Sequence, residues 1–143
     1  MKVAFQLEQN EDGYPPVALE TLNASDLGGG LFKIENAPFF AESIAYGDVV
    51  AARASTSGSC AFDKVVERST FTSLSILILQ EGMDVLLMDL FRGKDCVIEY
   101  GEFGDFRVLA VAVPKTCDYA ALRATLQTLE DDDQISFAEL AVA

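Results

Sequence analysis

The sequence predicts an α+β protein with two lobes. Residues 1–69 form an all-β lobe, a small bent β-sheet or partial barrel, and this packs on a C-terminal α+β lobe over residues 70–143. Three observations predict it. Half of the 143 residues are apolar, and a chain of this size buries roughly two-thirds of its unfolded surface, so one compact unit can hold a core. Through residue 68 the apolar residues alternate with polar ones in short runs broken by turn residues. Past Ser69-Thr70 two stretches take up helical spacing, with strand-like runs around them.

In the first lobe, Val3, Phe5 and Leu7 alternate with Ala4, Gln6 and Glu8, and further strands are predicted for Val17–Leu22, Leu31–Ile34, Asp48–Arg53 and Cys60–Glu67. The punctuation is Asp12-Gly13, Pro15-Pro16, Gly28-Gly29-Gly30, Asn36-Ala37-Pro38, Gly47-Asp48 and Ser57-Gly58-Ser59. Glycine reaches positive φ without strain and proline fixes φ, so each of these favours a turn. Gly28-Gly29-Gly30 is read as a turn and not a phosphate loop, because no Gly-Lys-Ser/Thr follows and the next segment is strand-like. A single helical turn is predicted around Phe40–Ile44.

In the second lobe, Leu74–Leu79 reads as a strand buried on both faces. Met83, Leu86, Leu87, Leu90 and Phe91 recur at helical spacing, with Asp84 near the positive end of the dipole and Gly93 as terminator. Cys96–Phe103 and Phe106–Val113 make a hairpin around Gly104-Asp105, stopped by Pro114. Thr116 or Asp118 caps a helix whose inner face is Tyr119, Leu122, Leu126 and Leu129, and Ile135–Leu140 alternates as a last strand. The order β-α-β-β-α-β predicts a ferredoxin-like sandwich, an arrangement that hosts many unrelated functions.

Function is constrained mostly by exclusion. The chain has no histidine, so a Ser-His-Asp or Cys-His arrangement, an imidazole base and a histidine metal ligand are all ruled out. Cys60, Cys96 and Cys117 are odd in number and widely spaced, matching neither a disulfide framework nor a zinc knuckle, and are read as structural thiols. The expectation is a non-enzyme without cofactor or metal. No apolar run approaches the roughly twenty residues of a membrane span, and the first residues lack the apolar stretch of an export signal, which predicts a soluble, cytoplasmic protein.

The net charge is −13, which repels nucleic-acid backbones and favours a basic protein as partner. Two acidic groups are candidate contacts: Glu99, Glu102 and Asp105 around the hairpin, and the run Glu130, Asp131, Asp132, Asp133. The run lacks the alternate ligands and central glycine of a calcium loop. Set at the C-terminal end of a helix, it faces the negative pole of the dipole at a small cost in stability. The alternative site is an apolar pocket between the lobes lined by Phe39, Phe40 and Tyr46.

Asp12-Gly13-Tyr14-Pro15-Pro16, Asn36-Ala37-Pro38-Phe39-Phe40-Ala41, Gly47-Asp48-Val49-Val50 and Val65-Val66-Glu67-Arg68-Ser69 resemble, in order and spacing, the bacterial family catalogued as domain of unknown function 4265. The resemblance is most specific over residues 3–70. It implies no activity and no catalytic residues. Some proteins of this type look like small immunity partners of bacterial toxins, which by analogy implies a toxin-binding role. The expected function is therefore a protein-binding module, an immunity protein that covers the basic surface of a toxin. A small-molecule sensor with a ligand cleft between the lobes is the alternative. The sequence leaves the oligomeric state open.

Overall fold

The computed structural model describes residues 1–55 and 58–143. Strands β1 (Lys2–Gln6), β2 (Leu19–Gly28), β3 (Leu31–Ile34), β4 (Val49–Ala54) and β5 (Cys60–Glu67) form a closed barrel in that order. Successive strands pair antiparallel, and β1 closes on β5 in parallel with Val3 opposite Cys60 and Ala4 opposite Ala61. Period-two patterning sends Val3, Phe5, Leu22, Ala24, Phe32, Ile34, Val50 and Ala52 inward to fill it. Register shifts in the β2–β3 and β4–β5 pairs bend the strands enough for closure. Gly28, Gly29 and Gly30 all have positive φ in the β2–β3 turn. In the predicted Ser57-Gly58-Ser59 turn, Ser57 lies outside the described residues.

One local expectation is corrected. Residues 40–44 form a turn and not a helical one, because Ser43 takes a left-handed conformation (φ 65°) that interrupts the helical path.

The chain continues through β6 (Thr72–Ile78), α1 (Met83–Phe91), β7 (Val97–Phe103), β8 (Phe106–Val113), α2 (Tyr119–Asp131) and β9 (Ile135–Ala141). The four strands make an antiparallel sheet in the order β7-β8-β6-β9. Both helices cover one face. Met83, Leu87 and Phe91 of α1, with Leu122 and Leu126 of α2, pack on Leu74, Ile76, Ile78, Leu109, Val111, Val113 and Ile135. Each such side chain contributes about 1.5–3 kcal/mol by leaving water. The Asp118 carboxylate caps α2 by accepting from Ala121 N at 3.1 Å.

The other face of β6 and β8 carries small residues. Ser73 pairs with Ala112 and Ser75 with Ala110, all four are buried, and Ala37, with Phe39 beside it, packs against the two alanines. Small side chains here let the β3–β4 connection approach the sheet closely, and this is how the central strand comes to be buried on both faces. The protein is thus α+β, with a closed five-strand barrel followed by a second sheet and two helices. No helix among the described residues is long and apolar enough to cross a membrane.

Candidate functional site: the junction cleft and the acidic end of the sheet

The segment Asn36–Ala41 runs between barrel and sheet and is gripped from both sides by carboxylates. From the barrel, Glu20 lies on the inward phase of β2 together with Leu22 and Ala24 and is 8% exposed. Its Oε2 accepts from Phe39 N at 2.6 Å, and its Oε1 accepts from Phe40 N at 3.0 Å and Ala41 N at 2.9 Å. Burial raises the Glu20 carboxyl above its ordinary pKa, and the backbone donors partly offset this. From the sheet, Glu99 Oε1 accepts from Asn36 Nδ2 at 3.0 Å. Its carboxyl is also raised, first by burial and further by the nearby Glu20, while Ala37 N–H and Asn36 pull it back down.

Between these groups opens a cleft of about 350 Å³, bounded by Val17, Leu19, Leu22, Asn23, Phe39, Phe40 and Phe103 as well as the two glutamates. The rings of Phe39 and Phe40 meet Phe103 edge-on at 5.2 and 5.0 Å. Gly101 makes this approach possible, since a Cβ there would stand 2.7 Å from the Phe103 ring and 3.0 Å from Phe39. No lysine or arginine lines the cleft. It presents an aromatic wall and two carboxyl groups whose oxygens accept hydrogen bonds from the Asn36–Ala41 segment. Among the described residues no group of three or more His, Cys, Asp or Glu is arranged to hold a metal ion.

The acidic residues singled out in the sequence divide by position. Ile78 pairs with Ile135, Leu77 with Val108 and Phe103 with Phe106, so the turns after β6, between β7 and β8, and before β9 all leave one end of the sheet. That end collects exposed Glu81, Glu102, Asp105, Asp131, Asp132 and Asp133 together with half-buried Asp84. Arg107, opposite Glu102 in the register, is a basic residue among them. The hairpin and the α2–β9 turn stand on opposite edges of the sheet, three strand spacings or about 14 Å apart.

Glu99 is not part of that end. It shares a face of β7 with Val97 and points to the barrel, while Glu102 lies on the helix-side face, where its Oε1 accepts from Tyr100 Oη at 2.9 Å. Glu130 is committed to the fold, accepting from Phe137 N at 2.9 Å. Beside the acidic end, α1 turns Val85, Leu86 and Met88 to solvent at 64, 47 and 44% exposure. Leu86, which shares the helical spacing of the core residues, is among these outward ones.

Of the three candidate pocket residues, Phe39 and Phe40 line the cleft. Tyr46 does not: its ring stacks on Phe71 at 5.1 Å, away from the cleft. Glu20 and Asn36 were not among the candidates from sequence. The legible signal for Glu20 was a carboxylate on the buried phase of an alternating strand.

A closed five-strand barrel joined to an antiparallel sheet with two helices, with a carboxylate-lined cleft at the join, defines an α+β protein. Residues 20–137 match the family described as Domain of unknown function (DUF4265), and the chain belongs to that family. The fold is similar to the crystal structure of a hypothetical protein from Neisseria gonorrhoeae, with a TM-score of 0.80 and 22% identity over 99% of this chain and 94% of that one. No curated protein matches the chain.

Proposed function

We propose that the protein is a non-enzymatic protein-binding module that engages a basic partner through the acidic end of its sheet, in the manner of an immunity protein covering a toxin. The observation that carries this is the convergence of Glu81, Asp84, Glu102, Asp105 and Asp131–Asp133 at one end of the sheet, next to the outward apolar side of α1. An apolar patch rimmed by charge has the anatomy of an interface, and one sign of charge speeds encounter with a partner of the other. The acidic turn after α2 also has no basic residue in the preceding helical turn to offset it. A cytoplasmic location belongs to the same reading.

The test is affinity capture from the native organism at low and moderate salt, with wild type and an Asp105→Lys, Asp131→Lys, Asp132→Lys variant as baits. The expected result is one stoichiometric basic protein that wild type loses as salt rises and the variant fails to hold. Equal capture by both baits overturns the surface assignment.

The second reading, a sensor of small molecules, is favoured by the junction cleft, where carboxylates and aromatic rings face one space without a basic side chain. We read the ligand as an organic cation. A thermal-shift screen of alkyl and aryl amines tests it, and stabilisation that is lost in Glu99→Gln supports the cleft. We further read the second lobe as a ferredoxin-like sandwich, supported by the strand order β7-β8-β6-β9 and the helices following β6 and β8.

A further inference from the structure

At the end of the sheet opposite the acidic turns, two thiols from connections distant in sequence meet. Cys96 lies just before β7 and Cys117 just before α2. Both sulfurs approach one acceptor, Lys94 O, at 3.9 Å from Cys96 Sγ and 3.8 Å from Cys117 Sγ, and Cys117 is near enough to raise the pKa of the Cys96 thiol. The register explains the meeting. Val97 pairs with Ala112, which sets Cys96 beside the end of β8, and the chain then folds back through a turn closed by Cys117 N donating to Pro114 O at 3.1 Å. Both cysteines are half-buried, and Cys117 lines an open hollow of about 330 Å³ together with Lys94, Asp95 and Asp118. Cys60 is sealed in the barrel core.

We propose that Cys96 and Cys117 form a redox-active dithiol that closes reversibly to an intramolecular disulfide when it meets a peroxide. Cys117, open to the hollow, supplies the thiolate that attacks the peroxide O–O bond. The distal oxygen leaves as hydroxide and becomes water, and Cys117 becomes a sulfenic acid. The Cys96 sulfur then attacks the sulfenic sulfur, gives up its thiol proton, and a second water departs. Two thiols and one hydrogen peroxide yield one disulfide and two waters, the peroxide taking the two electrons the sulfurs lose. The geometry agrees with this order of events: Cys117 lines the open hollow and Cys96 does not, and burial followed by the neighbouring Cys117 raises the Cys96 thiol above its ordinary value. The linkage would tie the α1–β7 connection to the start of α2. It is independent of both the acidic end and the junction cleft.

The experiment treats the reduced full-length protein with equimolar hydrogen peroxide, followed by intact mass, alkylation under denaturing conditions and peptide mapping. The expected product has lost two hydrogens, keeps one alkylatable thiol at Cys60, contains a peptide linking Cys96 to Cys117, and reverts with dithiothreitol. Cys96→Ser should halt at a sulfenic acid on Cys117 that dimedone traps, while Cys117→Ser should leave Cys96 untrapped. An unreacted protein, oxygen adducts without a cross-link, or a link through Cys60 or between molecules would each overturn the dithiol. Dimedone capture at Cys96 in the Cys117→Ser protein would overturn the assigned order.

Discussion

The carboxamide of Asn36 bridges the two lobes: its Nδ2 donates to Glu99 Oε1 on β7 at 3.0 Å while its Oδ1 accepts from Asn23 N on β2 at 2.6 Å. One short side chain therefore reports on both halves of the protein. With Glu20 holding Phe39, Phe40 and Ala41 from the barrel side, the Asn36–Ala41 segment is fixed at several points, and the cleft beside it is preformed.

Removing the Glu20 carboxylate strands three backbone donors near the core. Each unsatisfied buried donor costs about 1–3 kcal/mol, and water entering the vacated space recovers part of it. Glu20→Ala is expected to lose about 2–4 kcal/mol in urea unfolding, and Glu20→Gln, which keeps one acceptor oxygen, to lose less. Equal, negligible losses in both would show that these bonds are not what holds the segment.

Glu20 and Glu99 set the pH response. Both folded-state carboxyls sit above their ordinary value, so between the unfolded and folded pKa values the native state binds more protons than the unfolded chain. The resulting penalty is full above the raised pKa and vanishes below the unfolded one, so stability rises as pH falls through that window. Thermal melts from pH 7 to 5 should show wild type gaining stability and Glu99→Gln gaining less. Relief of the −13 net charge contributes to both proteins, so parallel curves would remove Glu99 from the account.

Gly101→Ala tests the packing of the junction. The new methyl would meet Phe103 and Phe39, forcing the rings apart at a cost of about 1–3 kcal/mol. The near-ultraviolet circular dichroism should change while the far-ultraviolet spectrum holds. An unaltered aromatic signal with full stability would contradict the contact.

Asp48 locks the turn before β4 to the start of the sheet lobe. Buried to 1% exposure, it accepts from Ala45 N at 2.9 Å and Ser69 N at 2.7 Å. Asp48→Ala should cost about 2–4 kcal/mol, measured by denaturant unfolding. Asp63→Ala on the barrel exterior should stay within about 0.5 kcal/mol of wild type.

Much of the fold was legible because period-two and helical spacing register directly in residues such as Val3, Phe5, Leu87 and Leu126, which the core absorbs. Closure of the barrel was not, since the parallel β1–β5 contact joins residues almost sixty apart and leaves no local pattern. The motifs that mark the family combine turns with strand ends, and several of these turns meet in space. Tyr14 stacks against Phe40 and Phe106 at 5.8 and 5.5 Å, and Ser69 Oγ donates to Tyr46 O at 2.6 Å. They specify how the lobes join, which is a tertiary fact that no single segment carries. For the same reason Glu99 reads as a surface charge in sequence and proves to be a junction residue, since an edge strand does not announce which of its faces is covered.

The parallel seam between β1 and β5 also orders events in time. During synthesis β1 is made well before β5, which seals it, so Val3 and Phe5 wait for residues out to Ala61 before their shelter is complete. Contacts this distant along the chain are slow to form. Until β5 is made, one edge of β1 therefore stands open, and an open strand edge is a template for misassociation.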